Sequence, residues 1–287
     1  MDTSSSGGRS MQNHRLRFGT GLKSRLSVMV LATLACASTA WPQGVPSVPA
    51  LGADQVVQRL IEKNKERAEA LQHYSARRSY RLEYRGFPAS TEATMEVEVN
   101  FDAPASKRFT VLSSTGSKMI ENRVFHRLLE SEQTAGDSSN RAHTELGPDN
   151  YSFSLAGTDG TNYVLNVEPK VESKFLYRGK IWVDAHDFAV TRIEAQPARN
   201  PSFWTTKSLI HHTYQKVDGG FYLPKENKTV TNVRMGGVAT LTIEYQSYQV
   251  TAAAPLASAR KPIASGEGVV WPGGGFTEEV ANFVVKK

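Results

Sequence analysis

The chain has 287 residues, enough for one large domain or two small ones, with 34 Lys and Arg against 28 Asp and Glu, a net charge of +6. That basicity does not point to nucleic acid. Five of the basic residues and one of the acids lie in residues 1–40, which leaves 29 against 27, a net of +2, for the rest. The sole cysteine, Cys36, falls in the same stretch, so the remainder has no disulfide and no cysteine metal ligand.

Arg15, Arg17, Lys23 and Arg25 precede an uncharged run, Leu26 to Ala37, and Ser38-Thr39-Ala40 offers small residues where a signal peptidase needs them. Residues 1–40 therefore read as a secretory signal peptide cut after Ala40, with Met11 an alternative start. The apolar run is short for a helix that spans a bilayer. Two alternatives are an uncleaved N-terminal anchor and a lipid-modified Cys36, which would make the product an outer-membrane lipoprotein. The lipidation signal wants an aliphatic residue three places earlier, where Thr33 stands and Leu34 comes one place late.

Trp41 to Gly52 holds three prolines and two glycines and reads as a linker. From Ala53 to about Gln72, Val56, Leu60, Ile61, Ala68 and Leu71 recur at helical spacing among Lys and Glu, an amphipathic helix. Strands follow. Tyr80, Leu82 and Tyr84 alternate with Arg81, Glu83 and Arg85. Ala93, Met95, Val97, Val99 and Phe101 alternate with polar neighbours, and Phe109 and Val111 with Arg108 and Thr110. Such alternation means a sheet with one buried and one wet face. Pro104 marks the turn before the third strand.

Ser117 to Glu132 returns to helical spacing, and Gly136 to Arg141 is a polar loop. Tyr151 to Leu155 and Tyr163 to Val167 flank Gly157-Thr158-Asp159-Gly160. A longer hairpin follows, Phe175 to Asp184 against Phe188 to Glu194 across Ala185-His186-Asp187. Ile181 and Val183 face inward in this reading, with Trp182 outside or at the rim, and the hairpin forms the central wall. After a Pro-bounded segment, Ser208–Val217, Tyr222–Met235 and Val238–Val250 close a domain spanning 53–250, and residues 251–287 form an Ala-, Pro- and Gly-rich tail. Nine or ten antiparallel strands with two helices give an α+β fold. Two helices cover only part of so wide a sheet, so it curls into an unclosed half-barrel with the helices on its concave apolar face.

No catalytic constellation emerges. His211 and His212 are adjacent on a strand and point to opposite faces, so they cannot chelate one ion together, and both read as surface histidines. Ser258-Ala259-Arg260-Lys261 has a Ser-x-x-Lys spacing in the tail without supporting residues. Gly-x-Ser-x-Gly, phosphate loops and dinucleotide fingerprints are absent from the sequence. Glu92, Glu96 and Glu98 read as a solvated strand face, and Asp184 and Asp187 as turn formers. No catalytic residue, metal ligand or cofactor site is expected. The positive signal is the apolar face: Tyr80, Leu82, Met95, Val97, Phe101, Phe109, Val111, Tyr163, Leu165, Ile181 and Val183 are the candidate lining of an apolar ligand cavity.

A helix, three strands, an inserted helix and then a long antiparallel meander resemble the half-barrel of periplasmic lipoprotein carriers (LolA and LolB) and the RseB sensor domain. Gly179-Lys180-Ile181-Trp182-Val183-Asp184 through Arg192-Ile193-Glu194, with Asn200-Pro201-Ser202-Phe203-Trp204 and Phe221-Tyr222-Leu223-Pro224, resembles bacterial outer-membrane lipoprotein-sorting proteins over residues 53–250. The resemblance implies a monomeric periplasmic protein without enzymatic activity, carrying lipoprotein acyl chains or free lipid toward the outer membrane. An envelope-stress sensor or interaction module with a membrane-associated protein partner is the alternative, and a hydrolase a minor one. In the carriers a basic residue before the proline of the second turn helps hold the lid closed. Here Ala103 precedes Pro104 and the basic pair Lys107-Arg108 comes later, so that latch does not carry over.

Overall fold

The computed structural model describes residues 49–253, apart from 105, 135–144, 201, 202, 204 and 235. The expected leader, most of the linker, the polar loop at Gly136 to Arg141 and the tail from 254 onward lie outside the described residues.

Helix α1, Ala53–Ala70, starts where the Gln55 carboxamide oxygen accepts the Gly52 N–H at 3.1 Å, with Asp54 in its first turn. It buries Val56, Val57 and Leu60 and ends slightly earlier than its periodicity suggests, because Leu71 is already extended. Strand β1, Leu71–Gly86, follows directly, then β2, Thr91–Asp102, and β3, Ser106–Gly116. The inserted helical arm has three parts: α2, Lys118–Ile120, a π-helical turn over Glu121–Phe125, and α3, His126–Thr134. The wide π turn breaks the simple helical repeat, and the sequence neighbours Val124 and Phe125 are both fully buried.

Seven strands complete the described residues: β4, Tyr151–Asp159; β5, Asn162–Pro169; β6, Tyr177–Asp184; β7, Val190–Pro197; β8, Thr205–Val217; β9, Phe221–Val233; and β10, Gly237–Ala252. They form one ten-stranded antiparallel sheet in the order β3-β2-β1-β10-β9-β8-β7-β6-β5-β4, with β3 and β4 as its two edges. The half-barrel is therefore unclosed, as expected. The β6–β7 hairpin is not its central wall, however. The last strand, β10, pairs with the first, β1, from Leu71↔Ala252 to Gly86↔Gly237, so β8 and β9 hold the middle and the hairpin lies nearer the β4 edge.

Within the hairpin, Ile181 and Val183 are fully buried on the concave side. Trp182 lies on the outer side, its ring under the Arg192 guanidinium at 4.2 Å and its Nε1–H donated to Asp159 Oδ2 at 3.0 Å. Asp184 Oδ1 accepts the N–H groups of His186 and Asp187, an Asx-type turn, while Asp187 Oδ2 accepts the Tyr222 hydroxyl at 2.7 Å and pairs with Lys216. Gly179 has no room for a side chain: a Cβ there would lie 2.1 Å from the Glu194 carbonyl oxygen and 2.7 Å from Ala195 Cα. Gly179→Ala should therefore lower stability by about 1–3 kcal/mol in urea unfolding, as backbone on β7 must move to admit it.

Candidate functional site

Alternating residues of every strand point to the concave side, and the helices cover them in two separate groups. Beneath the α2–α3 arm lie Tyr80, Leu82, Met95 and Val97 with Ile120, Val124, Phe125 and Leu128, while Phe101 and Phe109 pack at the margin. Beneath α1 lie Tyr163, Leu165, Ile181 and Val183 with Val56, Val57 and Leu60. Ten of the eleven candidate lining residues thus lie in or against these two clusters. Val111 belongs to neither. It faces Val97 near the β3 edge and is 41% exposed, next to a bulge that also leaves Leu112 in solvent.

Between the clusters runs a strip that periodicity did not distinguish. Along the middle of β8 and β9 five of six facing inward positions are polar: Ser208 opposite Thr231, Thr229 opposite the apolar Ile210, and His212 opposite Asn227. All of these are buried. Ser208 and Thr231 hydroxyls share a hydrogen bond at 3.1 Å, and Asn227 Nδ2 donates to Tyr245 Oη at 2.8 Å. His212 Nδ1, Asn227 Oδ1 and Tyr214 Oη are buried without a partner. One neighbour of the strip, Ile193, belongs to the α1 cluster and the other, Ile243, to the arm cluster. His212 is not the surface histidine expected from its doublet; only His211 is partly exposed. The same alternation that separates the two rings places one of them inside.

A second feature cuts across the apolar face. Arg78 stands between Tyr245 and Val97 in register, on the concave side, and is 3% exposed. Its Nη1 donates to Glu132 Oε2 of α3 at 2.7 Å, and Lys107 Nζ from β3 donates to Glu132 Oε1 at 2.8 Å. The guanidinium also lies 4.8 Å from the Tyr245 ring and 5.5 Å from that of Phe109. Burial alone would raise the Glu132 carboxyl, but Arg78 and then Lys107 outweigh it and hold the group far below the usual carboxylate range. Burial pushes the neighbouring Tyr80 hydroxyl up to about 12 against the pull of Arg78. The β1 alternation rule, apolar inward and charged outward, fails only at this arginine, and that exception was its readable signal.

The outer face carries a groove of about 750 Å³ where β7 and β8 pair only from Arg192↔Thr213 to Ala195↔Ile210. Leu209 and Val230 form its apolar part, and Lys180, Lys228 and His211 stand around it. Among the described residues no group of three or more His, Cys, Asp or Glu is placed to hold a metal ion, and no helix is long and apolar enough to cross a membrane. The concave face thus offers apolar burial crossed by a polar seam.

Burial, and then the neighbouring His211, push His212 down to about 3 from 6.5. A histidine kept neutral in the fold stabilises it above pH 6.5, and that stability drains away as pH falls toward the folded value. From pH 6.5 to 4.5 the loss should reach about 2–3 kcal/mol. Urea midpoints across this range should fall less steeply for His212→Gln than for the wild type, whatever its absolute stability.

No family's sequence model and no curated protein matches the chain. Among solved structures it is similar to a LolA superfamily protein from Nitrosomonas europaea, at 11% identity and a TM-score of 0.32, over 70% of this chain and 94% of that one. It is similar to a DUF1329 family protein from Desulfovibrio piger, at 14% identity and a TM-score of 0.34, over 70% and 94%. The MucA/MucB complex from Pseudomonas aeruginosa gives 10% identity and a TM-score of 0.22, over 68% and 100%. At these scores no ligand, partner or activity passes from those proteins to this one.

Proposed function

We propose that this protein is a periplasmic, non-enzymatic binder of apolar ligands, the acyl chains of lipids or lipoproteins, which it shields from water on their way toward the outer membrane. The observation that carries this reading is the ion triad Arg78–Glu132–Lys107, which ties the α2–α3 arm to an otherwise apolar sheet face. A buried ion pair stabilises a fold less than well-packed apolar residues of the same volume would, so its value lies in fixing one arrangement of the arm rather than in stability. Behind the arm lie Tyr80, Leu82, Met95 and Val97; lifting it bares an apolar surface contiguous with β10. At about 0.8 kcal/mol per buried methylene, one long acyl chain yields roughly 10 kcal/mol before binding costs, which needs no cofactor. The latch missing at Ala103 is supplied by different residues, one of them the Lys107 that follows the turn.

A second reading, a module that holds a protein partner, is favoured by the two sheet edges, β3 and β4, at which a partner's strand could add. Crosslinking in the envelope separates the two: one stoichiometric protein partner supports the module, many lipoproteins the carrier.

Native mass spectrometry of the gently purified protein should show co-purified lipid, and a lipophilic dye should compete for its place. A lipid-free mass together with no dye binding would exclude the carrier reading. Glu132→Gln should free the arm and raise dye binding severalfold while costing about 3–5 kcal/mol of stability, since it leaves Arg78 charged and buried. Arg78→Met with Glu132→Met should recover part of that stability, because the one charge then left unpaired, Lys107, is 28% exposed and can turn to solvent.

A further inference from the structure

The two ends of the sheet differ in chemistry. At one end the connections are β2–β3 with Asp102, β4–β5 with Asp159, β6–β7 with Asp184 and Asp187, and β8–β9 with Asp218. Arg108 and Lys216 on the flanking strands answer two of these acids. At the other end the connections carry exposed apolar side chains. Phe87 in β1–β2 is 72% exposed, Phe203 in β7–β8 is 69% exposed, and Val171 and Phe175 in β5–β6 are 62% and 43% exposed. The charged side chains here are Arg85, which pairs with Glu83, and Lys170, Lys174, Arg199 and Arg234, against Glu92, which pairs with Arg81, and Glu172, which pairs with Arg178, with Glu145 and Asp149 ahead of the edge strand β4.

Three of these connections touch. The Phe87 N–H donates to the Gly236 carbonyl in the β9–β10 turn at 3.3 Å, and the Phe87 carbonyl accepts the Tyr84 hydroxyl at 2.7 Å. In that same turn Arg234 donates from Nε to the Phe203 carbonyl at 3.1 Å, and its guanidinium lies 4.4 Å from the Phe203 ring. The backbone at each tip is therefore fixed, while the phenylalanine rings project into solvent. The exposed area of each ring carries a hydration cost that a polar turn residue would avoid.

We propose that this end of the sheet docks on an anionic lipid surface. Phenylalanines ringed by arginine and lysine match the boundary between acyl chains and negatively charged headgroups, where the rings enter and the cations remain with phosphate. The charge arrangement favours such a surface over a second copy of the chain, whose matching end is equally basic. The acidic end is turned away from it by like-charge repulsion. Docking in this sense concerns the turns, not the concave face, and holds whether or not that face carries acyl chains.

The test uses the full chain with Cys36→Ser, so that a single fluorophore can be placed at Ser90→Cys beside Phe87 or, as a control, at Thr161→Cys in the β4–β5 turn. Vesicles of phosphatidylethanolamine and phosphatidylglycerol carry brominated acyl chains that quench only what enters the membrane boundary. The position-90 label should be quenched and the position-161 label left unchanged, which places the basic end on the lipid even if the leader also binds. Phosphatidylcholine vesicles or added salt should weaken the quenching about tenfold. Phe87→Ser with Phe203→Ser, checked for an unchanged circular dichroism spectrum, should abolish it. Equal quenching of both labels, quenching of neither, or quenching that survives the double substitution would overturn the proposal. So would a position-90 signal that follows protein concentration instead of lipid, which would mark self-association.

Discussion

The pairing of β1 with β10 is the contact on which the architecture rests. Two local groups of strands, β1–β3 and β4–β10, form by short turns along the chain, and either could close into a small sheet alone. Bringing Leu71–Gly86 against Gly237–Ala252 merges them into one ten-stranded surface, at the entropic cost of closing a loop of most of the domain. A sheet this wide and twisted curls, and its concave side must then be covered. Helix α1 covers the half nearer β4 and the α2–α3 arm the half nearer β3.

The two covers are held differently. Helix α1 is anchored by Arg67, whose guanidinium donates to the Phe188 and Asp187 carbonyls at the rim, and by a plain apolar stripe below. The arm is held by an ion triad placed within the apolar face itself, on Arg78. Charges in such a place are stable only while all partners are in contact, which makes the attachment close to all-or-none. An apolar contact alone slides; this one is either made or broken. That difference singles out the arm as the element whose movement would open the concave side, and the polar seam on β8 and β9 as the boundary at which the opening would stop.

Much of the fold could be read from periodicity. The alternation in β2, β5 and β10 fixed which residues face inward: eight of the eleven residues chosen for the apolar face are buried in the two clusters, and Phe101 and Phe109 pack against one of them. Three features could not be read so. The polar strip was hidden because Ser, Thr, Asn and His at inward positions look like an outward face when one strand is viewed alone; only the pairing of β8 with β9 and of both with their neighbours shows that they are enclosed. Arg78 breaks the β1 alternation in plain view, but what it meets was hidden, because its partner, Glu132, is 54 residues away. Val111 was misjudged because an edge strand with a bulge lacks the neighbour that would cover it.

The sequence by itself determined the fold class of this protein: strands with one apolar face, two amphipathic helices, and turns of Asp, Gly and Pro. These are local properties, set by a side chain and its near neighbours along the chain. Which end of the sheet each turn occupies, which half each helix covers and which charge meets which partner were decided by the β1–β10 pairing and the sheet order. Those are relations between distant segments, and a pattern of period two carries no information about them.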